Sequence, residues 1–167
     1  MKIRILSLED AEKYWQLRLR ALKDHPDAFS ASFEDSVKMP LEEVKKRLVK
    51  TENRFILGAF DDSERLIGML GFFRETSIKL KHKGKVWGMY VIPEERGKGI
   101  GKALLNDIIH KARLIKDLEQ IQLSVNTANV AARKLYISFG FQPFGLERKS
   151  LKINNQYFDE EHMAFFL

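Results

Sequence analysis

The stretch Arg96-Gly97-Lys98-Gly99-Ile100-Gly101-Lys102 decides how this chain reads. It lies between an apolar run, Val86-Trp87-Gly88-Met89-Tyr90-Val91-Ile92, and an amphipathic segment from Ile100 to Ile115. That order predicts a strand, a glycine-rich loop and a helix. Glycine has no Cβ, so the backbone there approaches a ligand closely. A helix N-terminus adds unpaired N–H groups and a partial positive charge. Arg96, Lys98 and Lys102 contribute to the same field, and the whole suits an anion such as a phosphate. An ordinary strand-to-helix turn with basic residues outside accounts less well for three alternating glycines beside three cations.

Two familiar phosphate loops do not fit. A dinucleotide fingerprint spaces its glycines G-x-G-x-x-G, whereas Gly97, Gly99 and Gly101 read G-x-G-x-G. A nucleotide P-loop needs G-x-x-x-x-G-K followed by Ser or Thr. Here Arg96 stands at its first glycine, and Ala103 stands where the magnesium-binding hydroxyl belongs.

The loop resembles instead the pyrophosphate-binding motif of the GCN5-related N-acetyltransferases (GNAT), Arg/Gln-x-x-Gly-x-Gly/Ala, with Arg96, Gly99 and Gly101 at the fixed positions. Met89-Tyr90-Val91-Ile92-Pro93 looks like the family's strand before the loop. Asn126-Thr127-Ala128-Asn129, Ala131-Ala132-Arg133-Lys134-Leu135-Tyr136 and Phe139-Gly140-Phe141 are similar to its second motif. The resemblance implies a mixed α/β fold, an α+β sheet splayed at a cofactor cleft and flanked by helices, with acetyl-CoA as cofactor. It also implies roles. Residues 96 to 102, namely Arg96, Gly97, Lys98, Gly99, Ile100, Gly101 and Lys102, would hold the pyrophosphate. The backbone of Met89, Tyr90 and Val91 would pair with the pantetheine arm. Asn129 would bond that arm, and Tyr136 would give a proton to the departing thiolate.

Composition sets the bounds. The chain of 167 residues reads as a single domain over residues 1–167. Its 44% hydrophobic content is enough for a core, and no apolar run approaches the ~20 residues of a membrane helix. The first residues lack the long apolar stretch of a secretory signal. There is no cysteine, so disulfides, thiolate metal sites and a cysteine nucleophile are excluded; this is compatible with a cytoplasmic location. The net charge of +6 admits nucleic acid, a membrane surface or an anionic cofactor. The basic cluster Lys79 to Lys85 lacks the interleaved aromatics of a nucleic-acid surface and reads as a solvated hairpin connection. No spacing of His, Asp or Glu resembles a metal site.

Hydrophobic periodicity supplies the elements. Met1 to Leu6 predicts a strand, and Ser7-Leu8-Glu9-Asp10 a capping box. Ala11, Tyr14, Trp15, Leu19 and Leu22 predict a helix ending near Asp24-His25-Pro26. Asp27 to Met39 reads as a connection, and Leu41, Val44 and Leu48 as a second helix behind Pro40. Arg54 to Phe60 and Leu66 to Phe73 predict a hairpin. The Val86 strand follows, then a helix from about Gly99 to Lys116, a strand over Ile121 to Val125, and a helix from Val130 ended by Gly140. Glu147 to Ile153 and His162 to Leu167 close the chain as two strands.

The acceptor side is less defined. Phe29, Phe33 and Glu34 occupy the connection that borders the acceptor site in the family, and an acidic residue beside aromatics suits an amine; a surface loop anchored by two phenylalanines is the equal alternative. The tail around Tyr157, Phe158 and Asp159 would close the other side. The strand before the loop offers Trp87, Met89 and Tyr90 and no carboxylate, so a general base is missing; Glu34 and Asp35, or a water chain, are the substitutes. His25 and His82 read as surface groups. A small-molecule amine is the expected acceptor, with a peptide N-terminus or lysine as alternative and a non-catalytic acyl-CoA module as a further one. Many members of the family form homodimers, but no residue here marks an interface.

Overall fold

The computed structural model describes all residues, Met1 to Leu167. Its centre is a seven-stranded sheet of order β1-β2-β3-β4-β5-β7-β6. The strands are β1 (Lys2–Ile5), β2 (Arg54–Phe60), β3 (Leu66–Arg74), β4 (Lys83–Val91), β5 (Gln120–Asn126), β6 (Gln142–Ile153) and β7 (Gln156–Phe166). The helices are α1 (Ala11–Asp24), α2 (Phe33–Ser36), α3 (Leu41–Arg47), α4 (Ile100–Arg113) and α5 (Val130–Ser138). All strand pairs are antiparallel except β4 with β5.

Strands β2 and β3 are buried almost end to end, because helices cover both faces. Helix α4 presses on one face, where Gly68 leaves room: a Cβ there would stand 3.3 Å from both Ile100 and Leu104. Helix α1 covers the other face, and its N-terminus is fixed by Asp10. That carboxylate accepts Ser7 N–H at 2.7 Å and two bonds from Arg4 at 2.6 and 2.7 Å. The β2–β3 turn is closed by Asp61, whose Oδ1 accepts from the N–H groups of Ser63 and Arg65. The core is one cluster of 35 buried residues spanning sheet and helices.

The β4–β5 junction creates the cleft. Only Lys83, Gly84 and Lys85 pair with β5, opposite Gln120, Ile121 and Gln122. Beyond Lys85 the two strands part, and the β5-facing edge of β4 has no strand partner. A register shift opposite Met69–Gly71 places one extra residue in β4 near Gly88, whose φ is 68°.

Three expectations need correction. Lys83 to Lys85 are not loop but the start of β4 and the whole of its pairing with β5. The connection after α1 contains a turn of 3₁₀ helix, Pro26–Ala28, and the short α2. Ser32 caps α2 by accepting from Asp35 N–H at 3.1 Å. The last two strands are far longer than periodicity predicts, since β6 passes through Pro143 and Gly145 by irregular register. They meet in a tight turn at Asn154 and Asn155, both at positive φ.

Candidate active site

Three adjoining cavities follow the β4–β5 gap. The first, about 650 Å³, is lined by Met89, Tyr90, Val91, Arg96, Gly97, Gly99, Ile100, Gly101, Lys102 and Asn129, together with His25 and Phe29. The second, about 370 Å³, opens beyond Phe29 and takes in Arg18, Trp87, Ser124, Phe144, Glu160 and His162. A small cavity of about 80 Å³ joins them and holds Tyr136.

The loop is an open cradle. Gly97 and Gly99 adopt φ of 80° and 81°, and no atom lies within 4 Å of where a Cβ would stand. An L-residue is strained at such angles, so glycine serves the backbone shape here. Arg96 braces the cradle: its Nε donates to the Val91 carbonyl at 3.0 Å, and its Nη2 meets His25 Nε2 at 2.9 Å. His25 is therefore part of the site rather than a plain surface group. Tyr90 anchors the strand to α1 through Asp24 at 2.8 Å; burial, together with that carboxylate, pushes its phenol up to about 12. Lys98 does not line the cleft, because Glu95 holds its ammonium at 2.8 Å. Lys102 lines it from the first turn of α4.

Asn129 is the N-cap of α5, its Oδ1 accepting from Ala132 N–H at 3.1 Å, and it lines both the first cavity and the joining one. Tyr136 is 7% exposed, and its hydroxyl reaches Met89 Sδ at 3.6 Å across the gap. Burial pushes this phenol above its ordinary value, which keeps it protonated. Asn126 ties the segment after α1 to β5, donating from Nδ2 to the Asp27 carbonyl at 2.9 Å.

The second cavity holds groups that the sequence reading missed. Ser124 Oγ lies 2.8 Å from His162 Nδ1, and His162 Nε2 lies 3.2 Å from Glu147 Oε2. Phe144 stacks on the His162 ring. These residues come from β5, β7 and β6, and strand register brings them together. Arg18 projects from α1 beside Phe29, with its guanidinium carbon 4.5 Å from that ring centroid. Burial lowers its affinity for the proton. Of the expected acceptor residues, Phe29 lines all three cavities. Phe33 and Glu34 line none of them: both sit in α2, with Glu34 exposed. At the far wall stand Phe144, Glu160 and His162, whereas Tyr157 lies exposed near the β6–β7 turn.

No helix is long and apolar enough to cross a membrane, and no group of three or more His, Asp or Glu is placed to hold a metal ion.

The family model described as the acetyltransferase (GNAT) family matches residues 12–141, and the chain belongs to that family. It is 34% identical over 139 residues to a mycothiol acetyltransferase of Thermobispora bispora, a match covering 79% of this chain and 43% of that protein. It is 29% identical over 112 residues to a spermidine N(1)-acetyltransferase of Vibrio cholerae, covering 67% of this chain and 62% of that one. The matches thus span less than two thirds of either relative. A GNAT-family acetyltransferase from Streptococcus pneumoniae has the same fold, with TM-score 0.88, 23% identity and 99% of each chain covered.

Proposed function

We propose that the protein is an acetyl-CoA-dependent N-acetyltransferase acting on a small amine in a ternary complex. The observation that carries this is the parted β4–β5 edge, with the glycine cradle at one end and Tyr136 at its inner side. The open cradle of Gly97 and Gly99 and the unpaired edge of β4 fit the two halves of the CoA arm, a pyrophosphate and an amide-bearing chain.

Acetyl-CoA, when bound, supplies a thioester whose carbonyl carbon an unprotonated amine attacks, forming C–N, breaking C–S and releasing the sulfur as a thiolate. The chain's own residues handle the protons. Tyr136 Oη, kept protonated by burial, is the donor for the thiolate. On the acceptor side, His162 Nε2–H donating to Glu147 leaves Nδ1 free to accept from Ser124 Oγ. A proton shed by the amine passes to Ser124 Oγ as the hydroxyl proton moves to His162. This relay takes the place of the carboxylate that β4 lacks. The second cavity, about 370 Å³, is of a size that suits a small acceptor, in keeping with relatives named for mycothiol and spermidine.

The test is thiol release from acetyl-CoA against amino acids, polyamines, aminoglycosides and short peptides. Turnover on a small amine is the expected outcome. Turnover on peptides alone would move the acceptor to protein, and acetyl-CoA binding without turnover on any amine would leave a binding module.

A further inference from the structure

Arg18 is 7% exposed, yet its Nη1 has no hydrogen-bond partner, and no carboxylate forms an ion pair with it. Its contacts are aromatic: Phe29 at 4.5 Å and Trp87 at 5.9 Å from the guanidinium carbon. Such contacts hold the group in place without neutralising it. A buried, unpaired cation is costly, and the usual remedy is a carboxylate beside it. The other lysine or arginine lining the same cavity follows that rule, since Lys85 pairs with Glu75 at 3.0 Å. One helical turn before Arg18, Tyr14 Oη is also buried without a partner. The backbone makes way as well: a Cβ on Gly88 would stand 3.3 Å from Arg18 Nη1. The cavity therefore presents a positive end at Arg18 and a proton-accepting, carboxylate-bearing end at His162 and Glu160.

We infer that the acceptor is an amine that also carries a carboxylate, a molecule of amino-acid type whose carboxylate is received by Arg18. This rests on the acetyl-transfer reading above and narrows it. The amine end then faces Ser124, His162 and Glu160, and the carboxylate completes the missing ion pair. A polyamine, cationic at every nitrogen, would bring further positive charge toward Arg18 and leave its missing ion pair unmade.

The test uses matched pairs: α-amino acids and the amines that remain when their carboxylate is removed, with spermidine as the polyamine. Wild type is expected to favour the carboxylate-bearing member by about tenfold to a hundredfold in kcat/KM, the range of hydrogen bonds to a charged group. Arg18→Gln should collapse that ratio toward unity through KM of the amino acid, and Arg18→Lys should restore part of it. Preference of the wild type for spermidine or for the decarboxylated amines overturns the inference. So does an Arg18→Gln loss that is equal for both members of a pair, the mark of a purely packing role. If Arg18→Gln does not fold, the wild-type ratio and Arg18→Lys decide. Calorimetry on the CoA-saturated protein separates this inference from the one beneath it. An amino acid that binds where its decarboxylated partner does not supports the Arg18 site even if no acetyl group is transferred, and no such difference refutes it.

Discussion

On the glycine-loop side of the cleft, half of the lining comes from one contiguous stretch, Met89 to Lys102, and the rest from the segment after α1 and from the start of α5. On the Arg18 side it comes from α1, the segment after it, and strands β3, β4, β5, β6 and β7, each giving one to four residues. The first side is shaped largely by backbone, so its demands fall on glycine spacing and on a helix start. The second works with side chains, and their placement depends on strand register across the whole sheet. A binding surface of the first kind is written in a local motif. One of the second kind exists only after folding.

Experiments that separate the two sides test this contrast. The largest effect is expected at their junction: Tyr136→Phe should lower kcat by about 100-fold or more, the lower range of general acid catalysis. Acetyl-CoA affinity by calorimetry should stay close to wild type, and a parallel loss of affinity would make Tyr136 part of the cradle instead. Next comes His162→Gln, expected to lower kcat by about tenfold to a hundredfold, with Glu147→Gln lowering it less. Should acetyl-CoA binding fall as well, the two sides would not be separable. The smallest effect on turnover is expected outside both, at Asp10. Arg4 holds that carboxyl near 2 instead of its ordinary 3.8 by donating two hydrogen bonds. Because the folded-state value is depressed, the stabilisation is present above about pH 4 and is lost as pH falls toward 2. Asp10→Asn should therefore cost about 2 kcal/mol near neutrality by chemical denaturation. It should also flatten the acid limb of stability and leave acetyl transfer at 25 °C as it was.

The same contrast explains what could be read beforehand. The loop, β4, α4 and α5 are legible because each is a local pattern: alternating glycines, an apolar run, a helical stripe stopped by Gly140. Asn129, which caps α5, belongs to the same local pattern, since a cap bonds within its own first turn. Ser124, His162 and Glu147 are not legible, because they are 15 to 38 residues apart and meet by register alone. Nothing in the sequence singles out Arg18, because Phe29 and Trp87 close over it only in the fold. The long β6–β7 hairpin escapes notice because Pro143 and Gly145 carry turn signals, which its irregular register absorbs.

Lys83, Gly84 and Lys85 are the only rungs that join the four N-terminal strands to the three C-terminal ones. The sheet is thus two panels sharing a short seam, with α4 resting on the panel formed by β2, β3 and β4. Asn126, gripping the Asp27 carbonyl, acts as a clasp across that seam. Whatever fills the gap stands in for the absent rungs, so occupancy stiffens the whole plate as well as the pocket. Amides along the seam should exchange slowly with solvent in the filled protein and much faster in the empty one.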